Sequence, residues 1–185
     1  MTRQGSVAAD DLLFPEGPRW HDGAFWFSDM YAREVCRIDS EGNRSVVAKV
    51  PGCPSGLGWL PDGRLLVVSM EDHRVLRQEA DGAFSEFADL SALAVHRSND
   101  MVVDSRGRAY VGNFGFDLVG GEAPRKTNLI LATPEGEVRE VANQISFPNG
   151  AVITPDGGTL ILGETFAQQL SAFDIAADRL CSTVA

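Results

Sequence analysis

The sequence predicts an all-β fold made of four consecutive blades of a β-propeller, and three observations carry that expectation. Four segments share one grammar, in which a small polar anchor opens a short strand, a glycine turn follows, a second apolar strand comes next and a further turn closes the unit. The anchors Glu16, Ser55, Asn99 and Asn149 are 39, 44 and 50 residues apart. The first turn glycines, Gly23, Gly63, Gly107 and Gly157, follow those anchors by seven, eight, eight and eight residues. A β-sandwich would show similar strand spacing without this long-period echo, whereas about four short strands per roughly 40–45 residues is how a propeller blade reads.

Taken in order, the blades of the single domain 1–185 span approximately 13–52, 53–97, 98–147 and 148–185. They open on Pro15-Glu16-Gly17-Pro18-Arg19-Trp20, Pro54-Ser55-Gly56-Leu57-Gly58-Trp59, Ser98-Asn99-Asp100-Met101-Val102-Val103 and Pro148-Asn149-Gly150-Ala151-Val152-Ile153. The runs Ala24–Phe27, Leu65–Val68, Ala109–Val111 and Thr159–Leu162 are aromatic or β-branched and too short for helices, so they are read as strands. A second turn recurs at Glu41-Gly42, Asp81-Gly82 and Glu135-Gly136, with Ala177-Asp178 in its place in the fourth unit. The third unit is longer because Asp117 to Asn128 reads as a loop inserted between its second and third strands.

Composition narrows the function. Sixteen basic against 26 acidic residues give a net charge of −10, which disfavours nucleic acid and anionic membrane surfaces as partners and suits a divalent cation or simple solubility. No apolar run approaches the roughly 20 residues of a membrane-spanning helix. Residues Met1 to Asp11 are polar and lack the core of a secretory signal, so the expected location is the cytoplasm. The three cysteines, Cys36, Cys53 and Cys181, have no metal-ligand spacing and read as small buried hydrophobes.

The first strand of each propeller blade lines the central channel, so equivalent positions in successive blades converge on one axis. The repeat therefore brings Glu16, Asn99 and Asn149 to one end of that channel. A carboxylate with neutral amide oxygens is a hard-oxygen set, suited to calcium or magnesium and tolerable for zinc or manganese. Turn chemistry is the competing reading of each residue taken alone. Ser55 interrupts the pattern, so little direct contribution is expected from the second blade. Arg97 reads either as a holder of a carboxylate or polarised carbonyl oxygen, or as a surface arginine. Asp100 either bonds within its own loop or faces the channel. His21, His73 and His96 share no metal-ligand spacing, with His96 a loop residue near the mouth, and no serine-hydrolase elbow is visible.

At Pro15-Glu16-Gly17-Pro18-Arg19-Trp20, Arg97-Ser98-Asn99-Asp100 and Phe147-Pro148-Asn149-Gly150 the chain resembles the gluconolactonase, senescence marker protein (regucalcin) and luciferin-regenerating enzyme family. The stretch from Asn99 to Gly112, with Asp104, Gly107 and Tyr110, matches as well. The resemblance implies a six-bladed propeller, of which about four blades are present here as an incomplete ring. It implies one divalent cation (calcium, zinc or magnesium) held by Glu16 and Asn149, with substrate contacts from Asn99 and Arg97. The implied activity is metal-dependent hydrolysis of a sugar-acid lactone or similar cyclic ester.

The family's remaining metal ligand, also its general base, is an Asp in a Pro-Asp-Gly motif on the following blade, expected beyond Ala185. Pro61-Asp62-Gly63 and Pro155-Asp156-Gly157 fall at hairpin turns, so no catalytic residue is assigned. The corresponding expectations are weak metal binding, little turnover by the 185-residue chain, and self-association through exposed blade edges. The segment before Leu13 is read as a strand of an absent blade. A non-catalytic propeller binding calcium or a small ligand, and a closed four-blade interaction scaffold, are the alternative readings.

Overall fold

The computed structural model describes residues 5–176 and the backbone of 180–182. Each repeat folds as a four-stranded antiparallel meander, with strands paired in chain order. The first sheet holds β1 (Pro15–His21), β2 (Ala24–Asp29), β3 (Glu34–Ile38) and β4 (Arg44–Lys49). The second holds β5 (Pro54–Trp59), β6 (Leu65–Ser69), β7 (Arg74–Gln78) and β8 (Phe84–Asp89). The third holds β9 (Ser98–Val103), β10 (Ala109–Asn113), β11 (Thr127–Ala132) and β12 (Val138–Ile145). The fourth holds β13 (Pro148–Ile153), β14 (Thr159–Glu164), β15 (Gln169–Ile175) and β16 (Leu180–Ser182). The chain is thus an all-β propeller of four blades.

The turns form where glycine supplies a left-handed backbone. The first-turn glycines have φ from +69° at Gly23 to +87° at Gly63, values that tighten a hairpin without a side-chain clash. The second turns at Gly42, Gly82 and Gly136 behave alike, while the turn expected at Ala177-Asp178 lies outside the described residues.

The core lies between blades. Leu57, Val67 and Val35 join the first and second sheets, Met101, Val68 and Ile130 the second and third, and Tyr110, Leu131 and Leu160 the third and fourth. The middle strands β6, β10 and β11 are buried throughout, whereas the outer strand β4 is exposed or half-buried along its whole length. This layering brings β1, β5, β9 and β13 side by side in chain order as the inner wall. Cys36 and Cys53 are buried thiols without a disulfide, as their composition suggests.

Two sequence expectations change. The described residues before β1 form no strand: Ala9 and Leu12 pack against Phe27, Cys36 and Ile38 and cover the outer face of the first blade. The reason is local, because the Asp29 carboxylate accepts the backbone N–H groups of Leu13 (3.1 Å) and Phe14 (2.9 Å) and draws the segment onto this blade. The inserted loop runs between β10 and β11 and ends two residues sooner than expected, with Thr127 and Asn128 already in β11.

The Asp29 contact yields a prediction. Asp29 is 3% exposed, and Asp29→Ala leaves two N–H donors unmatched at the entry to β1. Stability should fall by about 1–3 kcal/mol, read as a lower melting temperature, while Asp29→Asn recovers part of the loss.

Candidate functional site

A β-bulge places each anchor. The pairing register slips by one residue between Glu16 and Arg19 on β1, between Pro54 and Leu57 on β5, and between Pro148 and Ala151 on β13. On the third blade Ser98 faces Asn113 while Met101 faces Val111, which puts the slip at Asn99-Asp100. Such bulges re-aim a side chain and end regular pairing, and here the same device occurs at one level of all four inner strands. The Gly following Glu16, Ser55 and Asn149 was the available sequence signal for it. Ser55 therefore does not break the structural repeat.

One cavity of about 210 Å³ at this level is lined by Glu16, Arg97, Asn99 and Asn149 together. Glu16, Asn99 and Asn149 lie on the inner strands of three sheets, with Arg97 directly before β9, and the four span up to 133 positions in sequence (149 − 16). Asn99 is buried; its amide nitrogen donates to the Pro148 carbonyl at 3.0 Å, and its oxygen accepts from the Ser55 hydroxyl at 3.5 Å. The second blade thus acts by holding Asn99. Ser55 is held in turn by its neighbour, its carbonyl accepting from the Ser28 hydroxyl at 2.6 Å.

Glu16 and Asn149 are half-buried. The Glu16 carboxylate accepts only a 3.3 Å bond from the N–H of Gly17, and among the described residues the Asn149 amide has no hydrogen-bond partner. Arg97 is steadied by Glu71 at 3.4 Å, which also pairs with Arg33 at 3.0 Å. His96 reaches Asp117 of the inserted loop at 3.7 Å.

Asp100 faces the channel, and sequence reasoning missed its partner. Arg19 of β1 crosses to it at 2.7 Å and also donates to the Met101 carbonyl at 2.6 Å. Burial pushes the Asp100 carboxyl above the usual carboxylate range, and the Arg19 guanidinium opposes that shift. Asp100 also lines a neighbouring cavity together with Glu16 and Asn149. Asp62 and Asp156 remain at exposed hairpin turns, where Asp62 pairs with Arg64 and Asp156 accepts from Thr154. Asp104 caps the β9–β10 turn through Arg106 and Arg108.

Cys53 and Phe147 both precede a proline and both have positive φ, +72° and +58°. Such backbone in a bulky residue costs about 1–3 kcal/mol and concentrates at functional sites. Among the described residues no group of three or more His, Cys, Asp or Glu side chains is placed to share a metal ion. A cation here would therefore rest on amide as well as carboxylate oxygen. Glu16 with the unpartnered Asn149 amide is a donor pair that fits a hard divalent cation.

Comparison with known proteins agrees with this architecture. A family model described as the SMP-30/Gluconolactonase/LRE-like region matches residues 14–183. A Rhizobium meliloti protein named "Putative sugar lactone lactonase" is 27% identical over 173 residues, which cover 92% of this chain and 56% of that relative. Pentonolactonase XacC of Haloferax volcanii is 28% identical over 155 residues, covering 83% of this chain and 50% of that relative. The chain thus spans about half the length of the curated relatives it matches. In fold it is similar to a gluconolactonase from Xanthomonas campestris, with a TM-score of 0.80 at 21% identity over 94% of this chain and 62% of the other. A calcium-binding regucalcin from Agrobacterium tumefaciens gives 0.78 at 24% identity over 98% and 61%.

Proposed function

The chain belongs to the SMP-30/gluconolactonase/LRE-like family, and from that premise we propose that it serves metal-assisted hydrolysis of a lactone at the cavity shared by Glu16, Arg97, Asn99 and Asn149. The observation that supports the reading is the meeting of these four side chains in one cavity. Two relatives carry lactonase names, which is consistent with a cyclic ester as substrate.

In this reading the Glu16 carboxylate and the Asn149 amide oxygen would hold one divalent cation. When bound, the ion supplies Lewis acidity toward an ester carbonyl or a water molecule. Asn99, fixed between Pro148 and Ser55, orients the ring. Arg97, anchored on Glu71, steadies the negative charge that develops on the carbonyl oxygen. The backbone strain at Phe147 and the bulge at Asn149 keep this wall pre-set, so little reorganisation accompanies binding.

Hydrolysis of a lactone panel, followed by proton release with and without chelator, tests the proposal. Turnover, expected to be small with no catalytic base assigned among the described residues, should require added calcium, zinc or magnesium and should fall to the uncatalysed rate in chelator. Turnover unaffected by thorough chelation would remove the metal from the account. Absence of turnover on every lactone with the cation bound would remove the activity.

A further inference from the structure

Resting on the lactone reading above, we propose that this site prefers a lactone bearing an apolar substituent over a polyhydroxylated sugar-acid lactone. The blade repeat itself carries the inference. In each blade the residue after the second strand donates its N–H to the carbonyl of the residue immediately before the inner strand. These pairs are Met30 to Phe14, Met70 to Cys53, Phe114 to Arg97 and Thr165 to Phe147. Two equivalent positions per blade are thus paired at the start of each inner strand.

Six of these positions line the cavity, as Phe14, Met30, Met70, Arg97, Phe114 and Phe147. Arg97 is the single charge among them, and the others present phenyl rings or thioethers. The rim continues this chemistry. Tyr31 is 57% exposed beside Phe14, with ring centroids 5.3 Å apart, and Leu118 and Val119 of the inserted loop are 43% and 72% exposed. All three also line the cavity.

Among the described residues, polar capacity at the cavity is small by comparison. Asn99 has already committed its amide nitrogen to Pro148, and Arg97 is engaged with Glu71. What remains of Glu16, Asn99, Asn149 and Arg97 suffices for the ester group and the cation. It does not suffice for a hydroxyl on each remaining carbon, and hydroxyls set against Met and Phe walls lose water without gaining partners. Methionine and aromatic walls suit a flexible alkyl or aryl group.

The test compares two five-membered lactones with the purified protein and its bound cation, one carrying an unbranched alkyl chain and the other a pentonolactone. Both kcat/KM and calorimetric affinity are measured. The alkyl lactone should be favoured by about 10- to 100-fold, the scale on which apolar pockets discriminate. Replacing the exposed rim, Leu118→Ser with Val119→Ser, should narrow that preference while the melting temperature holds. Equal or reversed preference overturns the substrate class and leaves lactone hydrolysis standing. If neither lactone is hydrolysed, the hydrolysis reading fails and affinity decides: tighter binding of the alkyl lactone supports the apolar site, and equal or absent binding overturns it.

Discussion

Glu16→Gln should lower lactone kcat/KM by about 100-fold or more, the scale on which removing a group that stabilises developing charge is felt. The Glu16 carboxylate accepts one 3.3 Å bond from the adjacent N–H and forms no ion pair among the described residues, so the fold does not depend on its charge. Glutamine keeps the shape and removes the negative charge that a divalent cation requires. Stability should therefore stay within about 0.5 kcal/mol, while affinity for calcium, zinc or magnesium falls steeply in a calorimetric titration. Loss of activity with metal affinity unchanged would assign Glu16 to substrate and return the cation to another set of oxygens.

Gly56→Val should be the most destabilising single change in the inner wall, because it strikes the junction that brings the site together. A Cβ at Gly56 would lie 2.4 Å from the Met101 backbone nitrogen and 2.9 Å from the Asp100 Cα. Those are backbone atoms of the neighbouring inner strand and cannot swing aside. Overpacking of this kind costs about 1–3 kcal/mol and sometimes more, which lowers the melting temperature by up to about 10 °C in a chain of this size. The same displacement moves Asn99 and the Asp100–Arg19 pair, so cation affinity falls with stability. Gly158→Ala is the comparison, since its Cβ would meet nothing nearer than the Asp156 carboxylate at 3.4 Å. That change should stay within about 0.5 kcal/mol.

Much of this fold was legible because its instructions are local. Turn glycines at fixed offsets and short β-branched runs specify hairpins, and hairpins repeated at a long period specify blades. The register of Glu16, Asn99 and Asn149 followed from that period, and all three do line one cavity. What escaped depends on how inner strands approach each other. The Arg19–Asp100 pair links residues 81 positions apart and exists only because the long Arg19 side chain on β1 reaches Asp100 on β9 in the folded chain. Ser55 looked like an interruption, yet its blade carries the same bulge and its hydroxyl meets Asn99. The segment before β1 was read as a strand, whereas the Asp29 carboxylate holds Leu13 and Phe14 as an irregular entry. Apolar character at the cavity was equally hidden, because Phe14, Met30 and Phe114 come to line one cavity only in the folded chain.

On the proposed reading Glu16 and Asn149 would hold a divalent cation in the cavity they share with Arg97 and Asn99. Crystals equilibrated with manganese and measured at its absorption edge test this most directly. The account predicts one anomalous peak within about 2.0–2.6 Å of a Glu16 carboxylate oxygen and the Asn149 amide oxygen. A peak elsewhere with this cavity empty, or no peak at saturating manganese, would contradict it.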